Sequence, residues 1–111
     1  MSTYTPDRWM MVKITAKDTG AVHYRIFAVW SGSYTYGASW KLNSGVTTVV
    51  ENENDYEFFG ASGSVYVCRK SSYGSSAYGF SVLQNLKANS AEVTIEDLPE
   101  ETNFMEIDYG E

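Results

Sequence analysis

The sequence predicts an α+β fold: a curved antiparallel sheet of six to seven strands, run as a meander, with one helix packed on a face. Three observations predict it. Short β-branched and aromatic runs with period-two alternation recur between residues 8 and 69, separated by Gly, Asn, Asp and Ser turns. A single stretch places apolar residues at three- and four-residue steps: Tyr73, Ala77, Phe80, Leu83 and Leu86. The composition, 43% hydrophobic and 15% aromatic over 111 residues, suffices for one core and is too apolar for a disordered chain.

Residues 1–7 read as a loose arm ending at Pro6. Arg8 to Ala16 reads as a strand with Met10, Val12, Ile14 and Ala16 on one face and Lys13 and Thr15 on the other. Lys17-Asp18-Thr19-Gly20 turns the chain into a second strand, Ala21 to Trp30, whose face of Val22, Tyr24, Ile26, Ala28 and Trp30 opposes His23, Arg25 and Phe27. After a Ser/Gly/Tyr loop, Ser39 to Leu42 is a short strand. Asn43-Ser44-Gly45 turns into Val46 to Glu51, and a polar turn leads back through Tyr56 to Phe59. Gly60 to Gly63 turns again before the strand Ser64 to Arg69. In the helix stretch Gly74 and Gly79 each cost roughly 1 kcal/mol, which places the start near Ser76. Asn89-Ser90 ends it, and Glu92 to Glu96 alternates as a last strand stopped by Pro99. The expected organisation is a single domain over residues 1–98 and an acidic tail over 99–111, in which Phe104, Met105, Ile107 and Tyr109 remain available for packing.

The formal charge of −6 is unevenly spread. Residues 1–91 hold all 8 Lys and Arg but 6 of the 14 acids, a net of +2, while residues 92–111 hold the other 8 acids and no base, a net of −8. The plain reading of the acidic end is a solubilising tail; the sharper one is a surface for a basic partner. No Asp or Glu lies between Asp18 and Glu51 or between Glu57 and Glu92. A surface built from those segments would accept an anion without like-charge repulsion. Eight dispersed cations make a poor counterion-releasing surface, so long duplex nucleic acid is not an expected partner.

Catalytic chemistry finds few residues. One His and one Cys cannot build a zinc site, and the carboxylates Glu51, Glu53, Asp55 and Glu57 read as a solvated hairpin tip without calcium-loop spacing. His23 has no nucleophile motif beside it. Cys68 alternates with Val65 and Val67 as a small hydrophobe, although Arg69 and Lys70 stand near enough in sequence to lower its pKa. No phosphate-binding glycine loop or dinucleotide fingerprint occurs. No catalytic residue, metal ligand or cofactor is expected.

Binding chemistry is better supplied. Trp30, Tyr34, Tyr36, Trp40, Tyr66, Tyr73 and Tyr78 lie in or beside the acid-free segments, and aromatic faces stack on nucleobases. The Ser62/Ser64 turn can aim N–H groups at phosphate oxygens, with Arg69, Lys70 and Lys41 adding charge and Asn43 and Ser44 polar edges. These residues are the candidate ligand-binding set. The competing reading makes the rings core and rim residues and the Ser/Gly loops plain turns; Tyr, Ser and Gly together also compose adaptable protein-binding loops.

The segments Trp40-Lys-Leu-Asn-Ser-Gly-Val46 and Gly60-Ala-Ser-Gly-Ser-Val-Tyr-Val-Cys-Arg-Lys-Ser-Ser-Tyr-Gly74 resemble small accessory proteins of tailed bacteriophages, over about Asp7 to Leu86. The resemblance implies a context and no catalytic residues. Such proteins often counter host defence, by gripping a defence protein or by sequestering a nucleotide signal. The expectation is a non-enzymatic anti-defence protein, cytoplasmic in the bacterial host and without a membrane partner. It would sequester a small anionic ligand such as a cyclic or modified nucleotide, as a homo-oligomer. The alternative is direct inhibition of a host defence protein through the acidic tail and exposed aromatics.

Overall fold

The computed structural model describes residues 3–33, 37–75 and 77–109. Eight strands and one α-helix make an α+β fold, but the strands form two four-stranded sheets instead of one curved meander. The strands are β1 (Thr3–Tyr4), β2 (Arg8–Ala16), β3 (Val22–Ser33), β4 (Gly37–Leu42), β5 (Val46–Glu51), β6 (Asp55–Gly60), β7 (Val65–Arg69) and β8 (Val93–Asp97). The helix α1 runs Ala77–Ala88. One sheet has the order β1-β7-β6-β5 and the other β4-β3-β2-β8.

The division falls at the Asn43 corner. There the backbone N–H of Asn43 donates to Ile26 O at 3.1 Å, and its side-chain Oδ1 accepts from Ile26 N at 2.8 Å. Asn43 thus closes the β3–β4 ladder with both its backbone and its side chain. Gly45, at φ 125, then turns β5 away to pair only with β6. In sequence, Asn-Ser-Gly reads as an ordinary hairpin turn, so the change of sheet is invisible there.

β2 and β3 form the centre of the second sheet and are buried on both faces. Trp9, Met11, Ile26 and Ala28 face the first sheet, where they meet Val46, Phe58, Tyr66 and Cys68. Val12, Ile14, Phe27 and Val29 face the helix and pack on Leu83. The molecule is therefore three layers, sheet on sheet on helix. The expected stripe holds only in part: Leu83 and Leu86 pack on the sheet with Val82 and Gly79, whereas Tyr73 precedes the helix and Ala77 and Phe80 are exposed. The helix ends with Ser90 Oγ donating to Leu86 O at 2.5 Å. Gly79 permits its close approach: a Cβ there would lie 2.9 Å from Val29 Cγ2 and 1.9 Å from Ser75 Oγ.

The described residues near both termini join the body. The expected loose arm contains β1, which pairs parallel with β7 through Thr3↔Val65 and Tyr4↔Tyr66, and Pro6 is buried. After β8, Leu98 N donates to Met11 O at 3.0 Å, and residues 99–109 cross the open end of the sandwich. Phe104 is 2% exposed and sits against Trp9, Phe58, Tyr56 and Tyr73, while Ile107 and Tyr109 pack on the same core and Met105 stays outside. Among the described residues, no helix is long and apolar enough to cross a membrane.

Candidate ligand-binding site

The segment after β7 is held in place by Trp9. Its indole Nε1 donates to Arg69 O at 2.7 Å, and its own carbonyl accepts from Gly74 N at 2.8 Å. Tyr73 adds a third anchor: its hydroxyl accepts from Met11 N at 3.3 Å and donates to Leu98 O. These bonds fix residues 69–74 across the end of the sandwich, on which two hollows open.

The first hollow, about 200 Å³, is lined by Trp9, Tyr56, Tyr73 and Phe104, with Lys70 and Glu100 as its charged members. Its rings stand edge to face or tilted, with Trp9–Tyr73 centroids at 4.7 Å and 87° and Tyr73–Phe104 at 5.7 Å and 33°. The second, about 250 Å³, is lined by Glu53, Asn54, Arg69, Lys70 and Ser71. Lys70 is common to both. Its Nζ sits 2.7 Å from Glu51 Oε2 and 5.1 Å above the Tyr56 ring. The hydrogen bond that Lys70 donates to Glu51 raises the Lys70 pKa and keeps its ammonium charged. Arg69 is exposed and forms no ion pair within 4.0 Å among the described residues.

The acid-free character of these segments holds along the chain and fails in space. Glu51, Glu53 and Glu100, from outside the acid-free segments, all border Lys70 or its hollows. With Asp55, which also acts on Lys70 and stands opposite Arg69 in the ladder, the neighbourhood offers two cations among four carboxylates. It therefore suits a ligand with one well-placed negative group better than a highly charged one.

Burial sets the protonation of the core groups. Cys68 lies between the sheets, 0% exposed, and desolvation, assisted by the charge of Asp55, drives its thiol far up. Arg69 and Lys70 do not lower it, and the expected alternative of a reactive thiolate is corrected: the group stays a neutral S–H near Tyr66 O. Desolvation, with smaller contributions from Tyr4 and Cys68, pushes the Tyr66 hydroxyl up to about 12. Desolvation, followed by Asp97, Glu100 and Glu101, pushes Tyr73 to about 12 against a lowering bond from Met11. Tyr109 is raised by burial and by Tyr24. His23 is exposed on β3, and no three His, Cys, Asp or Glu side chains group as a metal site among the described residues.

The fourteen sequence-derived site residues fall into separate groups. Arg69, Lys70 and Tyr73 meet at the two hollows. Ser44, Ser62 and Ser64 join in one turn cluster, with Ser44 Oγ donating to Ser62 Oγ at 3.1 Å and accepting from Ser62 N at 3.0 Å. Asn43 stands beside them but is buried as the sheet corner. Trp30, Lys41 and Tyr66 surround Tyr4: Trp30 at 6.2 Å between ring centroids, Tyr66 at 5.0 Å, and Lys41 Nζ 5.2 Å over the ring. Trp40 pairs with Val29 and stacks on Phe27 at 5.8 Å, on the helix side of the second sheet, and Tyr78 is exposed on the helix. Tyr34 and Tyr36 lie outside the described residues. Among the described residues, neither Trp30 nor Trp40 lines either hollow.

Sequence reasoning missed Trp9, Tyr56, Phe104 and Glu100 as lining residues. The one available signal was the spacing of Phe104, Ile107 and Tyr109 within the acidic end. No family model, no curated protein and no solved structure matches the chain.

Proposed function

We propose that the protein acts by binding and not by catalysis, sequestering a small nucleotide-like ligand across the two hollows that share Lys70. The base lies against the rings of the first hollow, and one phosphate group lies between Arg69, Lys70 and Ser71. The observation that carries this reading is the adjacency of an aromatic cleft and a cationic groove with a common lysine. The nearby carboxylates favour a phosphodiester, with one charge per phosphate, over a nucleoside triphosphate. The buried, neutral Cys68 supports binding over nucleophilic chemistry. The phage anti-defence context rests on the resemblance described above, and a cyclic nucleotide signal fits both that context and the charge. A second subunit would complete the enclosure of a ligand held in so open a site, which is the reason to expect a homo-oligomer.

Thermal shift against cyclic mono- and dinucleotides tests the reading, because a ligand of the native state must raise the melting temperature. Lys70→Ala should weaken binding roughly tenfold, the loss of one charge-assisted contact. No shift with any nucleotide at high excess refutes it. A second reading, inhibition of a host protein, is favoured by the exposed rings Trp40, Tyr78 and Phe80 at 38%, 39% and 43% exposure. Loss of partner capture on replacing those three, with folding retained, would select it.

A further inference from the structure

Resting on the nucleotide-binding reading, we propose that Glu100 is a specificity-determining residue and that it selects guanine among the bases. The polar inventory of the aromatic cleft carries the inference. Trp9 Nε1 is already engaged with Arg69 O, and the Tyr73 hydroxyl is engaged with Met11 N and Leu98 O. The polar groups left to meet a ring edge are the Lys70 ammonium, the Tyr56 hydroxyl and the Glu100 carboxylate. Lys70 is committed at the groove side to Glu51. Glu100 forms no ion pair within 4.0 Å among the described residues.

Glu100 is also held at the cleft. Two residues before it, Leu98 is bonded to Met11 and Tyr73, and Thr102 N donates to Pro99 O at 3.1 Å. Four residues on, Phe104 is locked among the rings. The carboxylate stands near enough to raise the Tyr73 pKa. The ring edge therefore meets a carboxylate whose backbone is anchored on both sides and which is acceptor-only when ionised. Guanine presents N1–H and the N2 amine side by side, two adjacent donors that match the two oxygens of a carboxylate. Adenine and cytosine each set one amine beside an acceptor nitrogen, and uracil flanks its single N–H with two carbonyls. Each of these turns at least one lone pair toward Glu100. A cationic ligand is disfavoured in the same cleft, because the Lys70 ammonium already covers the Tyr56 face.

The test is isothermal titration of the full chain with GMP, IMP, AMP and UMP. IMP keeps N1–H and lacks the N2 amine. GMP should bind about tenfold or more tightly than AMP and UMP, with IMP between, as one good bidentate pair provides. Glu100→Gln, an exposed position that leaves the Phe104 anchor in place, should bring GMP to the level of AMP. Equal affinity for GMP and AMP, or a guanine preference that survives Glu100→Gln, overturns the assignment to Glu100 and leaves the binding reading standing. Absence of binding by all four nucleotides and by cyclic dinucleotides overturns both.

Discussion

Replacing Phe104 by alanine separates a tail that merely carries charge from a segment that completes the core. The ring is 2% exposed and has centroids 5.4 Å from Trp9, 5.6 Å from Tyr56, 5.7 Å from Tyr73 and 6.2 Å from Phe58. Four fixed aromatic neighbours cannot collapse into the space it leaves. The loss should therefore fall in the range for a buried Phe→Ala change, about 3–5 kcal/mol. For a chain of this size, each kcal/mol moves the melting temperature by about 4 °C, so the expected drop is roughly 12–20 °C. A change that large is a substantial share of a typical total stability of about 5–15 kcal/mol. Met105→Ala, next along the chain but 42% exposed, is the control and should change stability by less than about 0.5 kcal/mol. Calorimetry and urea unfolding read both variants. A Phe104→Ala melting temperature within about 3 °C of the parent would refute the reasoning. It would mean that residues 99–109 contribute charge and little else.

Two further outcomes follow from the packing. Tyr66 and Tyr73 have folded pKa values raised to about 12 from an ordinary 10, so the native state holds their protons longer than the unfolded chain does. Their contribution is complete below pH 10 and is lost as pH rises from 10 through 12, at about 1–2 kcal/mol each. The urea midpoint should therefore be flat into the mildly alkaline range and then fall, and Tyr66→Phe or Tyr73→Phe should make that fall shallower; an alkaline profile unchanged in both variants would contradict the burial of these hydroxyls. Gly79→Ala should destabilise despite a gain of about 1 kcal/mol in helix propensity, because the added methyl meets Val29 and Ser75 and overpacking costs about 1–3 kcal/mol. A melting temperature above the parent's would show that the helix can shift outward freely.

How much of this was legible depends on what each feature needs. Helix α1 was legible because its partners are three and four residues apart, and Leu83 meets the sheet as the stripe implies. The β2–β3 hairpin was legible for the same local reason, with Thr15 opposite Val22 across a short turn. The split into two sheets was not, because it turns on Asn43 binding Ile26 from seventeen residues away. The sequence reading also gave β2 one buried face, whereas sheet and helix cover both, so Trp9 was left unassigned although it holds the 69–74 segment.

The candidate site shows the same division, with a consequence for charge arguments generally. Arg69, Lys70 and Tyr73 were legible as neighbours because five residues of chain can hardly separate them. The acid-free gaps were real along the sequence, but a strand pairing brings Glu51 across to Lys70, and the C-terminal crossing brings Glu100 to the rings. Electrostatic environment is set by distance through space, and strand pairing brings together residues far apart in the chain. A depletion of carboxylates along a β chain therefore forecasts little about the charge around its side chains. Here the depletion pointed to an anion, and the fold sets Glu51, Glu53 and Glu100 around the two cations that would receive it.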